Sequence, residues 1–406
     1  MGRQKLLLLF VGLCLGHSSL YAQDFTLLHR KFQVHGFASQ GFIHTDNNNW
    51  LTLNTSHTGS GQFTDFGANI SVQVTHKLRI GGQIYDRNLG QLGRWHPSLD
   101  WAYADYRFQP WFGVRGGKVK TPLGLYNDTQ DLDFLHPFVL LPQSVYPTDL
   151  RESTIAHTGG DLYGTIRLRN SLGSLSYVAY AGQRQDSHDG GYPYLLKGVQ
   201  IFFSSYGGLQ YGGDLRWTTP LPGLIIGGSR LNESISGKGT AFLPGTTVIT
   251  PYEEHSIADW ANQFYGRYSF RRLQLDAEWR RYWRDQRIAG GFFEVQNDVR
   301  GAYLAGSYRV KKWFQLGSYY SRYSINLPVF TVPGLPYHSG DKSHIYDRVV
   351  AARFDLNSYT NFKIEGHFMD GFGLPAQYPA GFYELVNEKG FQPKTNALVL
   401  KTGFNF

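Results

Sequence analysis

Residues 273–284 read LQLDAEWRRYWR. Leu273, Leu275, Ala277, Trp279 and Trp283 share one face of this stretch, and Gln274, Asp276, Glu278, Arg280, Tyr282 and Arg284 share the other. Period-two alternation is the signature of a strand with one apolar and one polar side. Two other stretches repeat it. Leu209, Tyr211, Gly213, Leu215 and Trp217 oppose Gln210, Asp214 and Arg216, while Phe362, Ile364, Gly366 and Phe368 oppose Lys363, Glu365 and His367. A soluble sandwich also alternates, but it hides its apolar face and seldom needs charges along the other. A closed barrel in lipid pairs every backbone group and has no edge. The expected fold class is therefore all-β, a transmembrane antiparallel β-barrel.

Working outward, sixteen such runs are expected, near 31–44, 62–75, 78–87, 98–108, 112–120, 159–169, 174–184 and 207–218, then 223–235, 259–270, 273–285, 298–310, 313–324, 345–356, 360–371 and 395–406. Most approach the ~9–11 residues of a tilted membrane strand. Tight turns such as His76-Lys77, Arg271-Arg272 and Lys311-Lys312 alternate with longer polar loops. Short turns on one rim and long loops on the other suit an outer-membrane barrel, with both termini on the periplasmic, short-turn side. Trp111, Trp217 and Trp313 lie at short turns, whereas Trp260 and Trp283 lie toward long-loop ends, as two interfacial girdles would require.

Composition and the N-terminus narrow the compartment. Arg3 and Lys5 precede the apolar run Leu6 to Leu15, and Leu20-Tyr21-Ala22 offers a small residue before Gln23. That is the pattern of a secretory signal peptide over 1–22, leaving a barrel domain over 23–406. Cys14 is the single cysteine, so the processed chain would have no disulfide. The chain has 27 Tyr, 28 Phe, 9 Trp and 48 Gly, with a mean hydropathy of −0.34. Negative hydropathy is compatible with a barrel because only alternate residues face lipid. The formal charge of +8 would fall to +6 once Arg3 and Lys5 are lost. No basic cluster accompanies it, which argues against a nucleic-acid partner.

The alternation stops over 121–158, TPLGLYNDTQDLDFLHPFVLLPQSVYPTDLRESTIAHT. Pro122, Pro137, Pro142 and Pro147 exclude a continuous helix or central strand there. Leu132, Phe134, Leu135, Phe138, Val139, Leu140 and Leu141 make it too apolar for a solvated linker. The expectation is a constriction loop folded into the lumen. Pro122 and Gly124 would turn it inward, Phe134, Leu135, Phe138 and Leu140 would pin it, and Asp128, Asp131 and Asp133 would face the channel.

Parity and topology give each inward charge a height. Arg79, Arg107, Arg167, Arg216, Arg267, Arg309 and Arg353 are expected to ring the short-turn vestibule. Arg280, Lys401 and Glu365 fall nearer mid-height, and the loop aspartates would face basic wall residues such as Lys118, Arg280 or Lys401. Basic rings attract anions. Asp105, Asp214 and Asp355 are close enough to neutralise part of the ring, and loop carboxylates commonly serve only as anchors.

His35–Phe42 (HGFASQGF), Val114–Asp131 (VRGGKVKTPLGLYNDTQD) and Leu140–Pro147 (LLPQSVYP), together with the leader, resemble the Gram-negative outer-membrane porin superfamily. The likeness runs over essentially the processed chain and is most specific at 112–147. It is greatest to a poorly characterised group akin to phosphate-selective and dicarboxylate-type porins. The terminal Phe404-Asn405-Phe406 resembles the aromatic signal read by the outer-membrane assembly machinery, with Phe406 as its last residue. The resemblance implies a 16-stranded barrel in outer-membrane lipid, usually a homotrimer, with that loop folded inside. It does not identify the solute, and small polar or anionic solutes are the class expected of the basic ring. The lysine-rich loop cluster of phosphate-specific members is absent.

An outer-membrane barrel enzyme and a structural or adhesive barrel are the rivals. Ser153, His157 and Asp161 are near one another but fit no nucleophile motif such as GxSxG. The 14 His are dispersed, with no HExxH, so neither a catalytic site nor a cofactor or metal is expected. The short lead-in to the first strand argues against a plug domain or periplasmic secretion domains. Passive diffusion is the expected function.

Overall fold

The computed structural model describes residues 23–27, 30–169, 171–242, 246–256, 258–288, 293–330, 343–373, 381–383 and 386–406. The expected signal peptide over 1–22 lies outside the described residues. Its strands are β1 (Gln23–Leu27), β2 (Arg30–Thr45), β3 (Ser60–Gln73), β4 (Leu78–Leu89), β5 (Ser98–Gln109), β6 (Phe112–Lys120), β7 (Ala156–Arg167), β8 (Ser174–Gln185) and β9 (Ile201–Thr218). They continue with β10 (Leu224–Phe242), β11 (Ile249–Ser256), β12 (Asp259–Phe270), β13 (Leu273–Ile288), β14 (Phe293–Lys311), β15 (Phe314–Phe330), β16 (His344–Asp355), β17 (Thr360–Asp370) and β18 (Lys394–Asn405).

Sixteen of these, β2–β10 and β12–β18, form one antiparallel sheet that closes on itself where β18 pairs with β2. Lys401 there lies opposite Gly41, and the C-terminal Phe406 exchanges backbone bonds with Gly36. The other two are accessory. Short β1 folds back along β2, and β11 continues the β10–β13 wall beyond the long-loop rim. All sixteen expected strands are present. Closure satisfies the backbone internally, which a bilayer demands.

The faces separate as the alternation requires. Leu209, Tyr211, Leu215, Trp217, Phe264, Leu304, Val350 and Phe368 are exposed on the outside. Gln210, Asp214, Asp276, Glu278, Lys363, Glu365 and His367, on the opposite parity, are buried inside. Trp111 and Trp313 are exposed at the short-turn rim, and Trp260 pairs in register with Trp283 toward the other.

Candidate functional site: the loop across the lumen

Residues 121–155 leave β6 at the long-loop rim and cross the barrel interior. The base is tied by Asn127, whose Nδ2 donates to the carbonyls of Thr121 and Thr154 at 2.8 Å each. Thr121 Oγ1 lies 3.0 Å from His157 Nδ1. Gly124 turns the chain inward with φ +71°. A Cβ there would sit 1.9 Å from Gln263 Nε2 and 2.4 Å from Glu278 Oε2, so only glycine fits.

Beyond the turn, wall side chains take over the loop's backbone groups. Ser229 Oγ accepts from Gly124 N–H at 2.9 Å, and Glu278 accepts from Leu125 N–H at 3.1 Å. Glu278 also receives Tyr146 at 2.7 Å, Gln263 at 2.7 Å and Tyr303. The loop next reaches the last strands. Lys363 Nζ donates to the carbonyls of Asp133 (2.7 Å) and Phe138 (3.0 Å), and Arg353 to those of Phe134 (2.8 Å) and His136 (2.9 Å). Glu365 accepts from the N–H groups of Val139 (2.6 Å) and Leu140 (3.2 Å), and is itself held by His367 at 3.2 Å. On the return, Arg280 donates to Val145 O at 2.9 Å and Arg87 to Thr148 O at 2.7 Å. A loop this irregular survives burial because the wall supplies its missing partners.

Apolar packing fixes the same path. Leu125, Tyr126, Phe138, Leu141, Val145 and Tyr146 pack on Tyr265, Tyr303, Tyr319 and Val349, with Phe138 edge-on to Tyr319 at 5.0 Å. Phe138 and Leu140 thus pin the loop as expected. Leu135 does not: it is 53% exposed, and Phe134 contributes its carbonyl to Arg353.

Asp131 and Asp133 anchor the loop through their carboxylates. Asp131 is buried, 2.5 Å from Lys120 Nζ and 2.6 Å from Gln83 Nε2. Asp133 lies 3.2 Å from Lys363 and 3.4 Å from Lys401, and Lys401 also holds Asp65 at 3.0 Å. Burial by itself would raise the Asp133 pKa, but Lys363 and Lys401 outweigh it and hold it down to about 2. Burial pushes His136 down to about 4, so the imidazole is neutral. Asp128 alone of the three is exposed, and its carbonyl accepts from Lys120 at 3.0 Å.

Several vestibule arginines are likewise engaged. Arg309 and Arg353 share Asp355, Arg267 pairs with Asp276 at 2.7 Å, and Arg216 donates to Tyr265 OH, which donates to Asp214 at 2.7 Å. Arg107 reaches Tyr163 OH at 3.4 Å and Arg79 reaches Ser71 Oγ at 2.8 Å. Arg167 is exposed at the short-turn end of β7. Lys118 departs from its expected place. In register with Ala102 and Thr158, it shares the parity of outward-facing Leu162 and donates to Leu99 O at 2.6 Å. Val119 and Arg115 take the inner face, since the loop covers the wall there and selects an apolar residue.

Arg280 differs from these. It donates to a loop carbonyl, its guanidinium lies 5.6 Å from the Tyr282 ring, and its buried Nε has no hydrogen-bond partner among the described residues. It borders a cavity of about 50 Å³ between the loop and β13–β15, beside Gln143, Ser144, Tyr282 and Tyr323. A second cavity of about 50 Å³ flanks the loop on the β3, β4 and β18 side, beside Asp65, Arg87 and Gln130.

Above the loop sits a layer the alternation does not foreshadow. Trp50 and Leu51, the short helix Gly191–Leu196, and Phe372, Phe382 and Tyr383 pack on Leu123, Val139, Leu140 and Leu150. Trp50 lies edge-on to His367 at 5.0 Å, Leu51 N–H donates to Gly381 O at 2.7 Å, and Tyr383 OH donates to Asp149 Oδ2 at 2.5 Å.

Comparison with solved structures follows from this geometry. OmpT of Vibrio cholerae superposes with a TM-score of 0.59 at 10% identity, over 95% of this chain and 100% of that one. This is the outer-membrane porin fold. OmpF of Salmonella typhi, in complex with daunomycin, gives a TM-score of 0.57 at 12% identity over 95% of this chain and 100% of its own. The anion-selective porin of Comamonas acidovorans gives 0.52 at 11% over 93% of this chain and 100% of its own. An uncharacterised protein of Aquifex aeolicus is 24% identical over 206 residues, 50% of this chain and 43% of that protein. The match thus spans less than half the length of that relative. No protein-family model matches.

Proposed function

We propose that the chain is a porin of the Gram-negative outer membrane that passes small polar or anionic solutes by passive diffusion. One observation carries this: the 121–155 loop crosses the lumen of a closed barrel and is held by side chains from around the wall. Such an arrangement narrows a channel without sealing it by a separate domain. The anion selectivity of the Comamonas porin agrees with the solute class, and the trimeric form of Vibrio OmpT agrees with a homotrimer. Processing after Ala22 and recognition of Phe406 by the assembly machinery complete this reading.

The enzyme alternative draws no support from Ser153, His157 and Asp161, which have separate partners. Ser153 Oγ donates to Asp186, His157 faces Thr121, and Asp161 binds Arg115. Arg280, rather than the vestibule ring, is the residue on which selectivity rests, since carboxylates offset Arg267, Arg309 and Arg353. In planar bilayers the purified protein should give stepwise conductance with an anion-favouring reversal potential in a salt gradient. Arg280→Gln should bring the permeability ratio close to one, and raising salt should weaken the preference, because the Debye length shrinks from ~10 Å at 0.1 M to ~3 Å at 1 M. Cation preference in the unaltered protein, or no steps at all, would remove this reading.

A further inference from the structure

The outer face of the barrel carries charges that neither the lumen nor the loop employs. Arg230, Arg281, Arg300, Arg322 and Arg348 share their parity with the exposed Ile226, Trp279, Leu304, Tyr320 and Val350. The register joins them into a row. Arg230 pairs with Asn262, Asn262 with Arg281, and Arg281 with Arg300. Arg322, opposite Ala302, and Arg348, opposite Tyr320, continue it, each one step nearer the short-turn rim. Tilted strands demand such a stagger of residues lying at one height.

Aromatic rings hold the guanidinium groups in place. Arg230 and Arg281 lie 4.8 and 5.5 Å from the Trp260 ring, Arg322 lies 4.8 Å from Tyr346, and Arg348 lies 5.7 Å from Tyr320. Asp298 bridges Arg281 at 2.8 Å and Arg300 at 2.6 Å, and Asp370, opposite Tyr346, ends the row. Five guanidinium groups thus face two carboxylates, and each guanidinium has five N–H donors to place. On the far arc, Gln40, Thr64, Asn88, Thr158 and Gln183 occupy the comparable outward positions, with Lys118 below them.

Each arginine of the row lies between 6 and 11 residues from the short-turn end of its strand. At a rise of ~3.3 Å per residue and a tilt of ~40° this is roughly 15–28 Å, from the upper half of a ~25 Å apolar band to its edge. Cations at that edge need anionic headgroups rather than hydrocarbon. Resting on the membrane reading of the barrel, we propose that this row binds the phosphate groups of an anionic lipid in the leaflet at the long-loop rim. Arginine suits the task because its planar fork meets phosphate oxygens in pairs.

The test is native mass spectrometry of the folded protein in micelles titrated with a bisphosphorylated glycolipid. The unaltered protein should retain this lipid, and R281Q/R300Q/R322Q should retain at least tenfold less. Lys311→Gln, at the opposite rim, should match the unaltered protein, and the dephosphorylated glycolipid should be held no better than by the triple variant. Should the triple variant fail to fold, R300Q/R322Q leaves the Arg281–Asp298 pair intact and should still lose severalfold. Equal retention by the variants, or of the dephosphorylated lipid, overturns the proposal. So does displacement by equimolar inorganic phosphate, which would mark a free-phosphate site, or a change in subunit number, which would mark an interface between copies. A protein that keeps the lipid preference yet never conducts refutes the channel reading and leaves the lipid row standing.

Discussion

Excision of residues 127–150 will raise single-channel conductance severalfold, because the narrowest segment dominates the resistance of a pore. The barrel should survive the deletion. Its strands pair with each other rather than with the loop, and β6 and β7 stay adjacent over Gly113–Lys120. Lys363, Arg353, Glu365 and Glu278 would exchange loop partners for water that enters with the opening. A subtler variant separates anchoring from bulk. Lys363→Met leaves the carbonyls of Asp133 and Phe138 without their donor and the Asp133 carboxylate with Lys401 as its remaining cation. Breaking one side of a buried pair costs about 3–5 kcal/mol, so the loop should undock part of the time and the current should become noisy. Unchanged conductance in a folded excision variant would place the stretch outside the conduction path.

The second large effect is on pH. Asp149 is fully buried under Tyr383, and burial, outweighing the Tyr383 hydrogen bond that favours the charged form, drives its pKa up to about 6. The folded loop therefore binds a proton more tightly than the undocked one, whose Asp149 titrates near 3.8. Stability from this contact is complete below about 3.8 and is lost as pH rises through about 6. A shift of this size corresponds to a change on the order of 3 kcal/mol, so the layer containing Trp50, Phe382 and Tyr383 should pack tightest in acid. Conductance at pH 5 should fall clearly below that at pH 7.5. Asp149→Asn, unable to ionise, should keep the low-conductance state at both. A pH response that persists in Asp149→Asn would assign the titration elsewhere.

The wall was readable in the sequence because lipid and water impose opposite chemistries on alternate residues. Leu273–Arg284 and Phe362–His367 show that directly, and each of the sixteen strands lies where alternation puts it. The loop's existence and inward path were readable too, from its prolines and its apolar content. Its contacts were not. Asp131 and Asp133 look like channel carboxylates until the register brings Lys120, Lys363 and Lys401 against them. Lys363 stood beside Glu365 and His367 in an inward triplet, a signal of something to bind, yet only three dimensions identify the Phe138 carbonyl as its partner. Lys118 was misplaced because Val119, covered by the loop, reverses the usual sense of apolar and polar. The layer of Trp50, Tyr192 and Phe382 comes from loops without periodicity, where no local pattern marks burial.

The reach of Arg353, Lys363 and Glu365 into the loop also sets an order of assembly. Their bonds to Phe134, Asp133 and Val139 join residues 219, 230 and 226 positions apart. Contacts so distant in the chain form late, since a large segment must first be closed. The loop cannot settle until β16–β18 have met β2, so a nascent barrel passes through a stage with a complete wall and a vacant interior. Refolding followed by ion flux should show leakage that rises and then declines, with the decline absent once Lys363 is replaced by methionine.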